Sequence, residues 1–198
     1  LPCPEGETVT DVYGLSDSTF HWLDGHTAIL DCHAWIVLYD FAADSGRILD
    51  DMSGIVKRHG RFGIYYGSRE GGVLGNTYYY LTCRQEDLTS GYTLWAADAS
   101  GARKLFNGQT FWHLFAAKDG LVLASTIDPT NPESDSRVWY LGTGSTQLRE
   151  IWTGDPALPF TEADQIAFTC RGRPGDSTVL CSYDPATDTL SSRDLGVY

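Results

Sequence analysis

A fourfold internal repeat constrains this chain more than any other feature. Each unit reads as an apolar, β-rich run, a small polar turn, and a second run carrying a basic residue or Thr. The passages are Trp35–Asp40 before Arg47–Leu49, Leu94–Asp98 before Arg103–Phe106, Val138–Gly142 before Leu148–Ile151, and Val179–Asp184 before Thr189–Leu190. The turn positions 40, 98, 142 and 184 stand 58, 44 and 42 residues apart. Units of roughly 40–50 residues built only of strand-like segments stack as small sheets rather than as helical solenoids.

The finer pattern predicts about four antiparallel strands per unit, with approximate boundaries 19–53, 60–108, 110–154 and 156–198 in a single all-β domain over 1–198. In the first unit Phe20–Leu23 is a strand, Asp24-Gly25 a turn and Thr27–Leu30 the next strand. Asp-Gly between apolar runs is a hairpin signal, because Gly accepts positive φ without steric penalty. The second unit is expected to open with Phe62–Tyr66, followed by a Gly-rich connector from Gly67 to Gly75. The third opens with Phe111–Phe115 and turns at Lys118–Gly120. The fourth opens at Pro156–Phe160, poor material for a central strand because Pro cannot donate to a ladder. No stretch sustains a 3.6-residue period, so almost no helix is expected.

This arrangement resembles the β-propeller superfamily, in particular bacterial extracytoplasmic propellers with Asp-containing turns between the outer strands. The resemblance runs from about Thr19 to the end of the chain and is one of architecture. The Gly-His and Trp-Asp signatures of WD40 blades, the Tyr-Trp-Thr-Asp motif of receptor propellers and the paired glycines of kelch blades are all missing. It implies a ring of about four blades, closed or partial. Closure would use Thr8–Leu15 as a strand completing the last repeat, which removes exposed edges. A partial ring would make the chain a fragment of a larger propeller. Architecture alone leaves function open.

Composition narrows the partners. The formal charge is −12, and the 14 basic residues are scattered. Nucleic acid is therefore not an expected partner, since its phosphates call for clustered Lys and Arg. No apolar run approaches the ~18 residues of a spanning helix, so no membrane insertion is expected. No signal sequence is visible either. Cys32, Cys83 and Cys170 end equivalent runs in three repeats and read as small buried thiols. Cys170 and Cys181 flank the turn Arg173–Asp176 and are placed to face one another across a hairpin, although five cysteines without framework spacing argue against a disulfide scaffold.

The chemistry-bearing residues point away from catalysis. There is no Gly-x-Ser-x-Gly elbow. Inner-strand candidates Phe20–Leu23, Phe62–Tyr66 and Phe111–Phe115 carry no acid, whereas glycosidases need two convergent carboxyls. The acids gather in turns instead, at Asp24, Asp40, Asp44, Asp50, Asp51, Asp98, Asp119 and Asp184, where they serve local backbone bonding. The oxygen-rich loop Asp128–Asp135 has two prolines and no Gly, which departs from a calcium loop. His21 and His113 are read as imidazoles satisfied by the backbone. Trp35, Trp95 and Trp139 recur in third strands and read as core packing. The ligand-binding candidates are Trp22, Tyr65, Tyr66 and Trp112, with His113 beside them; no catalytic residue, cofactor or metal is expected. The resulting expectation is a non-catalytic binding or scaffold module of a secreted or cell-surface protein, with a protein or carbohydrate ligand. Two alternatives remain: a polysaccharide-acting enzyme with loop-borne carboxylates, and a fragment of a larger propeller.

Overall fold

The computed structural model of the chain describes residues 19–32, 34–53, 68–82, 92–106, 109–117, 119–126, 136–153, 155–162, 165–171 and 177–196. Their regular structure is sixteen strands in four antiparallel four-stranded sheets, each drawn from one continuous stretch of chain. The first sheet contains β1 (Thr19–Trp22), β2 (Thr27–Asp31), β3 (Trp35–Asp40) and β4 (Ser45–Asp51), in that order. The second contains β5 (Ser68–Leu74), β6 (Thr77–Thr82), β7 (Thr93–Asp98) and β8 (Gly101–Lys104). The third contains β9 (His113–Ala117), β10 (Gly120–Thr126), β11 (Ser136–Gly142) and β12 (Arg149–Thr153). The fourth contains β13 (Asp155–Glu162), β14 (Gln165–Arg171), β15 (Thr178–Asp184) and β16 (Thr189–Asp194). The expected all-β class, with four sheets of four strands, is what the chain forms.

The repeated turn acids are local hinges. Asp40 Oδ1 accepts from the Ala42 and Ala43 amides at 2.9 and 3.1 Å, Asp98 Oδ1 from the Ser100 amide at 2.8 Å, and Asp184 Oδ1 from the Ala186 amide at 2.9 Å. Each carboxylate thus stands in for a backbone carbonyl at the hairpin joining the third and fourth strands of its sheet. In the third sheet Gly142 occupies this place, and its carbonyl accepts from the Ser145 amide at 2.9 Å.

Sheets one and two belong to one compact unit, sheets three and four to another. In the first unit Ile29 and Ile36, with Leu38, pack against Tyr78, Tyr80, Ala97, Val73 and Trp95 of the second sheet. Polar links cross the same contact. The Tyr78 hydroxyl donates to buried Asp31 at 2.6 Å, the Tyr80 hydroxyl donates to Asp50, and the Arg47 guanidinium donates to the Ala99 carbonyl. In the second unit Val122, Val138, Tyr140 and Ile151 of the third sheet pack with Ile166, Phe168, Cys181 and Tyr183 of the fourth. There Arg149 donates to the Tyr183 hydroxyl at 2.8 Å and pairs with Asp188 at 2.9 Å.

Three expectations are corrected. The segment taken as a Gly-rich connector contains β5, the first strand of the second sheet. Its glycines answer to packing: a Cβ on Gly71 would stand 2.0 Å from the Tyr78 hydroxyl oxygen, so only Gly lets the two strands carry that ring. The proline-bearing opening of the fourth repeat is a full strand, β13, tolerated because it is the sheet's end strand and pairs only with β14. Cys170 pairs in register with Val179 and Cys181 with Phe168, and Cys181 is buried. The two positions therefore do not face one another across the hairpin. Cys32 is half-buried. Phe62–Tyr66 and Thr8–Leu15 lie outside the described residues.

Candidate functional site

Alternation along the first sheet separates two faces. His21, Ile29, Ile36 and Leu38 point toward the second sheet, while Phe20, Trp22, Leu30, Val37, Tyr39 and Ile48 share the opposite face through the pairs Phe20↔Leu30, Leu30↔Val37, Val37↔Ile48, Trp22↔Ala28 and Ala28↔Tyr39. Phe41 joins them from the turn. The Asp40 carboxylate holds that turn, and the Phe41 amide donates to the His26 carbonyl at 2.9 Å.

The result is an open aromatic surface. Phe20, Trp22, Phe41 and Ile48 are 44%, 54%, 48% and 42% exposed. The rings support one another edge to face: Phe20–Trp22 at 5.0 Å and 86°, Phe20–Phe41 at 6.0 Å and 69°, and Tyr39–Phe41 at 4.8 Å and 69°. Trp22 and Phe41 stand 5.1 Å apart at 40°. At its margin the Tyr39 hydroxyl donates to Asp44, and that bond raises the phenol's pKa above its ordinary value. Contiguous apolar groups are uncommon on a surface facing only water.

The reverse face holds a polar cluster. The His21 ring lies against Tyr78, with ring centroids 5.0 Å apart and the planes tilted by 37°. Burial lowers the imidazole's pKa, and the Asp31 carboxyl opposes that effect without overcoming it.

Of the residues singled out in the sequence, Trp22 lies in the aromatic surface. Tyr65 and Tyr66 lie outside the described residues. Trp112 and His113 belong to the other compact unit and are half-buried; the Trp112 amide donates to the Ala124 carbonyl at 2.7 Å, and the His113 ring stands 6.0 Å from Phe115. Phe20, Tyr39 and Phe41 were not anticipated. The available signals were the alternation Phe20-x-Trp22 and a Phe in an otherwise polar turn. Trp95 packs in the core of the first unit, and Trp139 donates from its indole to Ser125 at 2.8 Å.

Asp50 and Asp51, expected in a turn, lie in β4, where Asp50 accepts from the Tyr80 hydroxyl; the acids of the hairpin turns are spent locally. The amides of His26 and Thr27 and the Thr27 hydroxyl hold Asp24 at about 2, and the Arg103 guanidinium and Ser100 hold Asp98 at about 2. Asp184 is lowered by the Thr187 hydroxyl and the Ala186 amide. Among the described residues no group of three His, Cys, Asp or Glu is placed to hold a metal ion.

No protein-family model matches the chain. No curated protein matches it either. Solved structures do. The propeller domain of the trilobed protease from Pyrococcus furiosus, described as having an open velcro topology, aligns with a TM-score of 0.54 at 11% identity, over 85% of this chain and 53% of that one. Uncomplexed acylaminoacyl peptidase from Pyrococcus horikoshii aligns at 0.53 and 8% identity, over 90% and 32%. Oligopeptidase B from Trypanosoma brucei aligns at 0.52 and 13% identity, over 89% and 27%. The chain therefore spans about half or less of the length of these structures. Four blade-like sheets in sequence order, together with these alignments, establish a β-propeller type of fold.

Proposed function

We propose that this chain is a non-catalytic propeller module that binds a protein partner through the aromatic face of its first blade. The exposed group Phe20, Trp22 and Phe41 carries the reading. Large rigid rings supply contact area at low entropic cost, and clustered aromatics are typical anchors of protein interfaces. Edge-to-face packing favours a protein over a sugar. A pyranose stacks on a flat, open ring face, whereas Phe20 and Trp22 meet at 86° and present an irregular apolar relief. The flanking Leu30, Val37 and Ile48 extend that relief without adding charge.

The turn carboxylates lend no support to a glycoside-cleaving alternative. A general acid needs a raised pKa, and Asp24 and Asp98 are held at about 2 by their own turns. Placement outside the cytoplasm belongs to the same proposal and rests on the sequence resemblance alone.

The test compares immobilised wild type with a Trp22→Lys/Phe41→Lys variant and with an Arg193→Glu control on the last strand. A partner retained by wild type and control, but lost by the face variant, is the expected result. Equal retention by all three, or glycan binding that depends on Trp22, overturns the reading.

A further inference from the structure

The turn aspartates 40, 98 and 184 align the sheets position by position, and the alignment identifies what the aromatic face of the first blade fits. Counted back from those turns, the pair Ala28–Tyr39 corresponds to Tyr78–Ala97 in the second blade and Ile166–Tyr183 in the fourth. Leu30–Val37 corresponds to Tyr80–Trp95 and Phe168–Cys181. Phe20 and Trp22 correspond to Gly71 and Val73.

In both later blades this face is covered, each time by the opposite face of the blade before it. Ile29, Ile36 and Leu38 of the first blade cover it in the second. Val122, Val138 and Tyr140 of the third cover it in the fourth. Both covering faces are apolar at these positions, and beside them Asp31, Asp50 and Arg47 on the first blade and Arg149 on the third bond the blade they cover. In the first blade the equivalent surface leaves Phe20, Trp22, Phe41 and Ile48 open to solvent.

We propose that the occupant of this face is a fifth blade, supplied by polypeptide outside these 198 residues and presenting a mainly aliphatic sheet face. The proposal rests on the protein-binding reading above and names its partner. A second copy of the chain fits poorly. The covering faces of its first and third blades are already occupied. The corresponding face of the fourth blade offers Ala167, Thr169, Leu180, Ser182, Ser191 and Arg193, linked by the pairs Ala167↔Ser182↔Ser191 and Thr169↔Leu180↔Arg193, with Leu158 and Phe160 of β13 in register beside Thr169 and Ala167. Where the covering faces of the first and third blades carry the pairs Ile29–Leu38 and Val122–Tyr140, this one carries Ala167–Ser182, which leaves little to pack on the aromatic rings.

The experiment inserts a copy of residues 19–67 between Ser18 and Thr19 of the full chain. The copied blade then precedes the native first blade through the same connector that joins the first blade to the second. Trp22 and Trp35 of the copy are replaced by Phe, and native Trp22 is followed by fluorine NMR after 5-fluorotryptophan labelling. In the 198-residue chain its resonance is expected to show a solvent-isotope shift, and in the extended chain to lose it. Lys at the positions of Ile29 and Leu38 in the copy should restore the shift. A second insertion, copying residues 110–164, offers the Val122, Val138 and Tyr140 face and guards against misfolding of the first. Trp22 left exposed in both extended chains overturns the fifth blade. So does a dimer of the 198-residue chain in which Trp22 is already protected, or protection of Trp22 by a retained protein that presents no such sheet. The protein-binding reading survives those last two results, and it falls only to its own face variants.

Discussion

Tyr78 joins two blades through a single hydroxyl. Its bond to Asp31 at 2.6 Å is buried, and hydrogen bonds to charged groups are worth about 1.5–3 kcal/mol, so Tyr78→Phe should lower stability by that amount in urea unfolding. Beside it, burial makes the protonated form of His21 costly. The folded-state pKa lies below the ordinary 6.5, so on acidification the unfolded chain takes up this proton first. The contribution of His21 is complete above 6.5 and declines as pH falls through its lowered folded value; an imidazole NMR titration should place its midpoint below 6.5. Asp24 answers at lower pH. Its carboxylate pKa is depressed from 3.8 to about 2 by the His26 amide and by the hydroxyl and amide of Thr27. The stabilisation it gives its turn is therefore present above 3.8 and lost as pH falls through about 2, with the His26 and Thr27 amide resonances moving in that window.

At the scale of the strand and hairpin, two glycines with opposite surroundings make a paired test. An added methyl at Gly71 meets the Tyr78 hydroxyl at 2.0 Å, so Gly71→Ala must displace the ring that reaches Asp31. Overpacking of this kind costs about 1–3 kcal/mol. Gly25 has nothing within 4 Å of the added atom, so Gly25→Ala should change unfolding free energy by less than about 0.5 kcal/mol. The same contrast explains what was legible. The hairpins at Asp40, Asp98 and Asp184 were readable because an Asp that bonds the amide two residues ahead makes its turn from neighbours in sequence. β5 was misread because glycine's low strand propensity is a local signal, whereas the need for Gly71 comes from a ring on the next strand.

At the scale of the whole molecule, the exposed aromatic face contributes contact surface and little stability. Trp22→Lys/Phe41→Lys should leave the urea midpoint nearly unchanged, within about 0.5 kcal/mol per site, while reducing binding of a hydrophobic dye. A large loss of stability would mean that the face is part of the core. From the sequence alone came the all-β class, the fourfold repeat and the place of each outer hairpin, because alternation and turn chemistry act between residues close along the chain. Trp22 was singled out there as well, by its ring and its strand. Its exposure, and its grouping with Phe20, Tyr39 and Phe41, came only from the tertiary structure. Each sheet has two faces, and which of them another sheet covers depends on how blades stack, an arrangement that no single repeat encodes.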